Sequence, residues 1–189
     1  IGLFGRIWTQ DAETEARLTN FTLREHFLTR VFTSARFRQI ARTGRIGDLV
    51  RFHAGNKLLI MSYSQEHLKI MGNLTANREG RETPDIVSDY ERNLYQAMDR
   101  PPRFTSSINV LMHALGYFSD RLESGEKRFF LNSLEEYRRE QAPLSVPLNI
   151  IRSYIVRFGE KYLAEQTFFE PYPRELIEIK DSGKGRSYK

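Results

Sequence analysis

The sequence contains no cysteine. That absence removes disulfides, thiolate nucleophiles, thiolate-held zinc and any cysteine-ligated iron–sulfur cluster from this chain. It suits a reducing compartment, so a cytoplasmic location is the expectation. Long apolar runs are missing too. The longest is Leu58-Leu59-Ile60-Met61, far short of the ~20 residues of a membrane-spanning helix, and no membrane partner is expected. Strand-like alternation never lasts more than a few residues, and no internal repeat is visible. Nothing has the form of a glycine-rich phosphate loop, a nucleophilic serine motif or a paired-carboxylate site, so no catalytic residue is assigned.

What is present is unevenly placed charge. The chain carries a net charge of +5. Residues 17–57 hold nine Arg or Lys against Glu25 and Asp48, while the remaining segments sum to a small negative charge. The whole excess therefore lies in one segment, and arginine dominates it. Arginine's planar fork suits bidentate phosphate contacts. Arg24, Arg30, Arg38, Arg42, Arg45, Arg51 and Lys57 are the candidate polyanion-binding residues. A charged helical face is often only solvated. Charge alone does not choose among RNA, DNA and an acidic protein.

The periodicity is helical almost throughout and predicts an all-α, compact single-domain bundle of about six or seven helices with an extended C-terminal arm. Thr22–Glu25 ("TLRE") reads as a capping box. Asp48 and Ser64 read as caps of the next two helices, and Thr83-Pro84-Asp85 as the start of one that stops before Pro101-Pro102. Ser106 or Ser107 would open a helix running toward Leu122, and Ser124-Gly125-Glu126 another. Pro147 would start a last long helix reaching about Gln166. At 100° per residue Arg38, Arg42 and Arg45 share one side, in an arc that Phe27, Leu28 and Val31 already occupy upstream. A break or bend near Thr33-Ser34 is therefore expected.

Two helices carry polar stripes. One has Asn109, His113, Gly116 and Tyr117 opposite an apolar face of Ile108, Leu111, Met112 and Leu115. The other has His53 and Asn56 beside Tyr63. Facing one another, they would line a cleft of His53, Asn56, Asn109, His113, Gly116 and Tyr117, which would either bind a ligand or hold two helices together. No two histidines have a recognised metal-ligand spacing, and no metal is expected.

Several ordered stretches carry a resemblance. "LVRFHAGNKLLIMSYSQEHLKIMGNL", "INVLMHALGYF", "LEEYRREQAPLSVPLNIIRSYI" and "YLAEQTFFEPYPREL" together resemble the YbgA-type domain, a family long described as a domain of unknown function, from about Asp48 to Leu176. The resemblance implies a second half of a fusion whose first half is a thiouracil-desulfidase-like domain holding an iron–sulfur cluster. "GLFGR" and "EARLTNFTLREHFLTRVF" are similar to the joint and first helix of such fusions. Residues 1–20 are then expected to be the end of a linker, residues 21–176 the helical domain, and residues 177–189 a flexible basic tail. The family's further histidines are replaced here by Asn56 and Tyr63.

The implied role is an auxiliary tRNA-binding or RNA-binding domain in thiouridine desulfuration, non-catalytic by itself and without a cofactor of its own. Its partners would be tRNA or another structured RNA and a desulfidase-like domain in cis or in trans. Tyr117 would stack on an unpaired base. Two rival readings stand beside it: an acid–base enzyme or small-molecule binder using His53 and His113, and a structural docking domain.

Overall fold

A computed structural model describes residues 17–177, and the expectations for residues 1–16 and 178–189 lie outside them. Among the described residues there are eight α-helices and no strand. They are α1 (Phe21–Thr43), α2 (Ile46–Tyr63), α3 (Gln65–Ala76), α4 (Thr83–Ala97), α5 (Phe104–Gly116), α6 (Ser124–Arg138), α7 (Ser145–Phe158) and the single turn α8 (Lys161–Ala164). The expected all-α bundle with six or seven full-length helices is thus present. No described helix is long and apolar enough to cross a membrane.

Two apolar cores share α2. Leu58 and Leu59 pack with Val110, Leu111 and Ala114 of α5, Phe130 of α6 and Ile151 of α7. Leu49, Phe52 and Ile60 pack with Phe37 of α1, Met71 of α3 and Tyr90 of α4. Each large side chain removed wholly from water contributes roughly 1.5–3 kcal/mol, so burial outweighs the capping differences that decide where each helix starts. Helix α2 therefore lies between two layers, which explains why its apolar residues do not form one narrow stripe.

Several boundaries differ from expectation, each for a local reason. Asn20, not Thr22, caps α1: its side chain accepts the Leu23 N–H at 3.1 Å. Asp48 is not a cap but sits in the first turn of α2, because Gly44 closes α1 in the left-handed region (φ 62°) and α2 begins two residues before Asp48. The cap of α4 is Glu82, one residue before the expected Thr83. Helix α5 opens at Phe104, directly behind the proline pair, and ends at Gly116 rather than near Leu122. Met112 is 43% exposed instead of core, since the buried arc runs through Ser107, Val110, Leu111, Ala114 and Leu115. Gly159 (φ 62°) stops α7, so the last long helix ends well before Gln166. Ser64, by contrast, caps α3 as expected, accepting the His67 N–H.

No break occurs at Thr33-Ser34: α1 is one continuous helix of 23 residues, about 34 Å long. It avoids the conflict by being covered on more than one side. Phe37 faces Phe52 and Tyr90. Elsewhere along the helix the C-terminal arm supplies a second cover, with Tyr172 against Phe32 and bonded to Glu25, and the Pro171 and Leu176 carbonyls accepting from Arg36 and Arg24. Thr29, Thr33 and Ser34 are buried between. Small polar residues let neighbours approach α1 without a kink.

Candidate nucleic-acid interface

The corner between α1 and α2 is built on "RTGRIGDLVR". Gly44 turns the chain, and the Thr43 hydroxyl accepts the Arg45 N–H at 3.3 Å. Asp48 is buried and binds two guanidiniums at once, Arg45 at 2.8 Å and Arg51. Those two arginine side chains remain 73% and 75% exposed. The hydrogen bond from Thr43 is the largest influence holding the Asp48 carboxyl below its ordinary value, followed among the stabilising contacts by Arg45 and Arg51. Asp48 is thus an anion at neutral pH that fixes two exposed cations in place. Arg42 is exposed on the last turn of α1. One carboxylate among three guanidiniums leaves an excess of two positive charges at this corner.

From the corner a basic ridge continues along α2. Gly47, Arg51, Ala54 and Lys57 are exposed, at the three- and four-residue spacing that puts them on one side of a helix. Between Asp48 and the end of α2 there is no acidic residue.

The other candidate arginines are engaged elsewhere. Arg38 donates to the Tyr95 hydroxyl at 3.3 Å and Arg24 to the Leu176 carbonyl at 2.9 Å. Arg30 lies close enough to His26 and Tyr63 to influence their protonation. These three join helices and the arm rather than the α1–α2 corner.

The six cleft candidates are divided rather than gathered. α2 and α5 do pack together, but through Leu58, Leu59, Val110 and Leu111. His53 turns to α4, its Nδ1 3.0 Å from the Tyr90 hydroxyl, while Gly72 of α3 lies beside its Nε2. Burial, and then Lys57, hold the His53 imidazole below its usual value. Asn56 is buried and donates to the Phe52 carbonyl while accepting from Thr167. Asn109, His113 and Gly116 lie exposed on α5, and Tyr117 lies exposed at its C-cap. Among the described residues no three His, Cys, Asp or Glu side chains converge as a metal site would require. A surface hollow of about 360 Å³, lined by Phe104, Tyr137 and Pro143 among others, contains neither histidine.

Sequence reasoning missed two residues of consequence. Gln166 donates to the Ala54 carbonyl at 2.8 Å and accepts the Leu58 N–H at 3.0 Å. Tyr162 stacks on Tyr117, with ring centroids 5.5 Å apart and 17° between planes. Neither partner is local in sequence, so no spacing rule announces them.

Comparison with known proteins agrees with the motifs. The chain is 29% identical over 138 residues to the "Uncharacterized protein YbgA" of Escherichia coli (strain K12), a match covering 72% of this chain and 81% of that protein. No solved structure matches. A family model described as "Protein of unknown function (DUF1722)" matches residues 57–173, spanning the end of the ridge, the exposed stripe of α5 and the first part of the arm, and the chain belongs to that family.

Proposed function

We propose that this chain is an auxiliary RNA-binding domain, non-catalytic by itself, which presents tRNA to a desulfidase-like domain acting in cis or in trans. The observation that carries the RNA-binding part is the α1–α2 corner: buried Asp48 holds exposed Arg45 and Arg51 in fixed positions beside exposed Arg42, with Lys57 farther along the same helix. Guanidiniums positioned in advance lose less side-chain freedom when they meet a phosphate. The desulfuration part rests on the resemblance to desulfidase fusions. The iron–sulfur cluster would sit in the partner domain, since this chain has no thiolate to hold one. The acid–base alternative has no comparable support, because His53 and His113 face different neighbours.

The test is fluorescence anisotropy with bulk tRNA and with duplex DNA across a salt series. Tighter tRNA binding is expected, with log K falling by about 0.7 to 0.9 per neutralised phosphate per decade of salt. Arg42→Glu with Lys57→Glu reverses two exposed charges without stranding Asp48, and should weaken binding and flatten that slope by roughly two such contacts. No binding of the parent chain at about 50 mM salt sinks the proposal. So does a double variant that binds tRNA normally but no longer associates with a desulfidase-like domain, because the basic face would then be a protein-docking surface.

A further inference from the structure

The phosphate-binding reading leaves the exposed stripe of α5 unused. Asn109, His113, Gly116 and Tyr117, at i, i+4, i+7 and i+8, lie on one face of the helix, and all are exposed. Met112 adds apolar surface beside them. Tyr117 keeps 38% of its surface exposed although Tyr162 stacks on it and His113 meets its ring at 5.8 Å and 77°. A Cβ built on Gly116 would touch nothing within 4 Å, so the helix surface at Gly116 is open. Arg121 anchors the backbone at Tyr117. It donates to the Tyr117 carbonyl at 2.8 Å and lies over the Phe118 and Phe158 rings at 5.4 and 4.8 Å. A stacked aromatic pair thus lies at the surface, beside side chains that donate and accept hydrogen bonds.

This aromatic pair is tied to the basic ridge. Tyr162 lies four residues before Gln166, whose carboxamide is bonded to the Ala54 carbonyl and the Leu58 N–H of α2. Those two backbone groups bracket Lys57, the exposed end of the Arg51–Ala54–Lys57 line. The Glu165 carbonyl also closes to 3.4 Å from a Cβ built on Gly55. The segment bearing Tyr162 is therefore seated on the same helix that displays the cations, and Glu160, the acid next to it, is engaged by Arg121.

We infer that Tyr117 and Tyr162 form a stacking platform for an unpaired nucleobase, with Asn109 and His113 placed to bond its edge, at the end of the phosphate-binding ridge. The inference deepens the RNA-binding reading and rests on it. It specifies the substrate: RNA that is single-stranded or looped where it crosses α5, not a continuous duplex. Aromatic rings take any base by its face and take it only when it is out of the helix.

The experiment uses a short single-stranded RNA carrying 2-aminopurine, free and annealed to its complement, with the full chain. The parent should bind the single strand more tightly than the duplex and quench the probe. Tyr117→Leu should weaken single-strand binding roughly 5- to 100-fold and remove the quenching while leaving duplex affinity and the salt slope unchanged. Arg42→Glu should weaken both forms. Should Tyr117→Leu prove unstable by thermal melting, Asn109→Ala with His113→Ala, both exposed, carries the same expectation of lost single-strand preference. Single-strand binding and quenching that survive Tyr117→Leu overturn the platform and leave the phosphate ridge standing. A parent that binds both forms equally does the same. A parent that binds neither overturns the RNA reading together with it.

Discussion

At the scale of single residues, the histidines are the informative ones. His26 and His53 each meet a tyrosine hydroxyl through Nδ1, at 3.0 Å: Tyr63 for the first and Tyr90 for the second. Burial pushes both phenols up and both imidazoles down, so at neutral pH each bond joins a neutral histidine to a protonated tyrosine. Each ring is thereby committed to an internal contact rather than aimed at a shared cleft. For His26 burial comes first and Arg30 second, against a smaller opposing influence of Asp99, and the folded value is about 4 where the free side chain has 6.5. The sign follows. Between those two values the unfolded chain binds more protons than the folded one, so stability declines as pH falls through the window and levels off below it. Urea midpoints at pH 7 and pH 5 should therefore separate clearly for the parent and less for His26→Gln, whose side-chain amide can still bond Tyr63 but does not titrate. Equal separation in the two proteins would show that His26 is not the group responsible. In sequence His53 pairs most naturally with His113. Its true partner, Tyr90, lies on a helix that periodicity places but does not orient.

At the scale of elements, what was legible was local. Ser64 announces α3, Pro101-Pro102 the gap before α5, and Ser124 to Glu126 the start of α6, because each acts through backbone groups within one turn of itself. Boundaries slipped by a few residues for local reasons, but the larger failures were at a distance. The bend placed at Thr33-Ser34 assumed a helix covered on one side, whereas the C-terminal arm covers α1 as well. Gln166 is the sharpest case. Its carboxamide bonds the Leu58 N–H and the Ala54 carbonyl, the donor and acceptor that an α-helix ordinarily pairs with each other. This side chain, beside Gly55, pins the segment after α8 to the middle of α2. Gln166→Ala should cost about 1–3 kcal/mol, softened if the two backbone groups re-pair. Gln166→Glu should cost more, since an ionised carboxylate accepts from Leu58 but has nothing to donate to Ala54 and is buried as a charge. Denaturant titration ranks the two. Parity between them would mean that the amide hydrogens contribute nothing there.

At the scale of the whole molecule, the two cores meet along α2, and the arm is a second tie between them. Arg152 of α7 holds the arm's near end through the Phe169 carbonyl at 3.3 Å and Glu170 at 2.6 Å. Arg36 and Arg24 of α1 hold its far end, and Tyr172, 4% exposed, plugs between Phe32 and Glu25. The segment that the motif "FFEPYPREL" marks is thus a strap from the α5–α7 half to α1. It braces the helix that carries Arg42, while Arg45 stands at the joint and Arg51 on α2. Tyr172→Ala should cost roughly 3–5 kcal/mol through the lost ring, and Tyr172→Phe only about 1 kcal/mol through the lost hydroxyl. Where the loss falls is the sharper test. If the strap secures α1 to the rest, native-state hydrogen exchange of Tyr172→Ala should show α1 amides opening well before those of α5 and α7, whose packing does not involve Tyr172. A uniform loss of protection across all helices would instead mean that the two cores unfold as one unit and that α2 alone is enough to couple them.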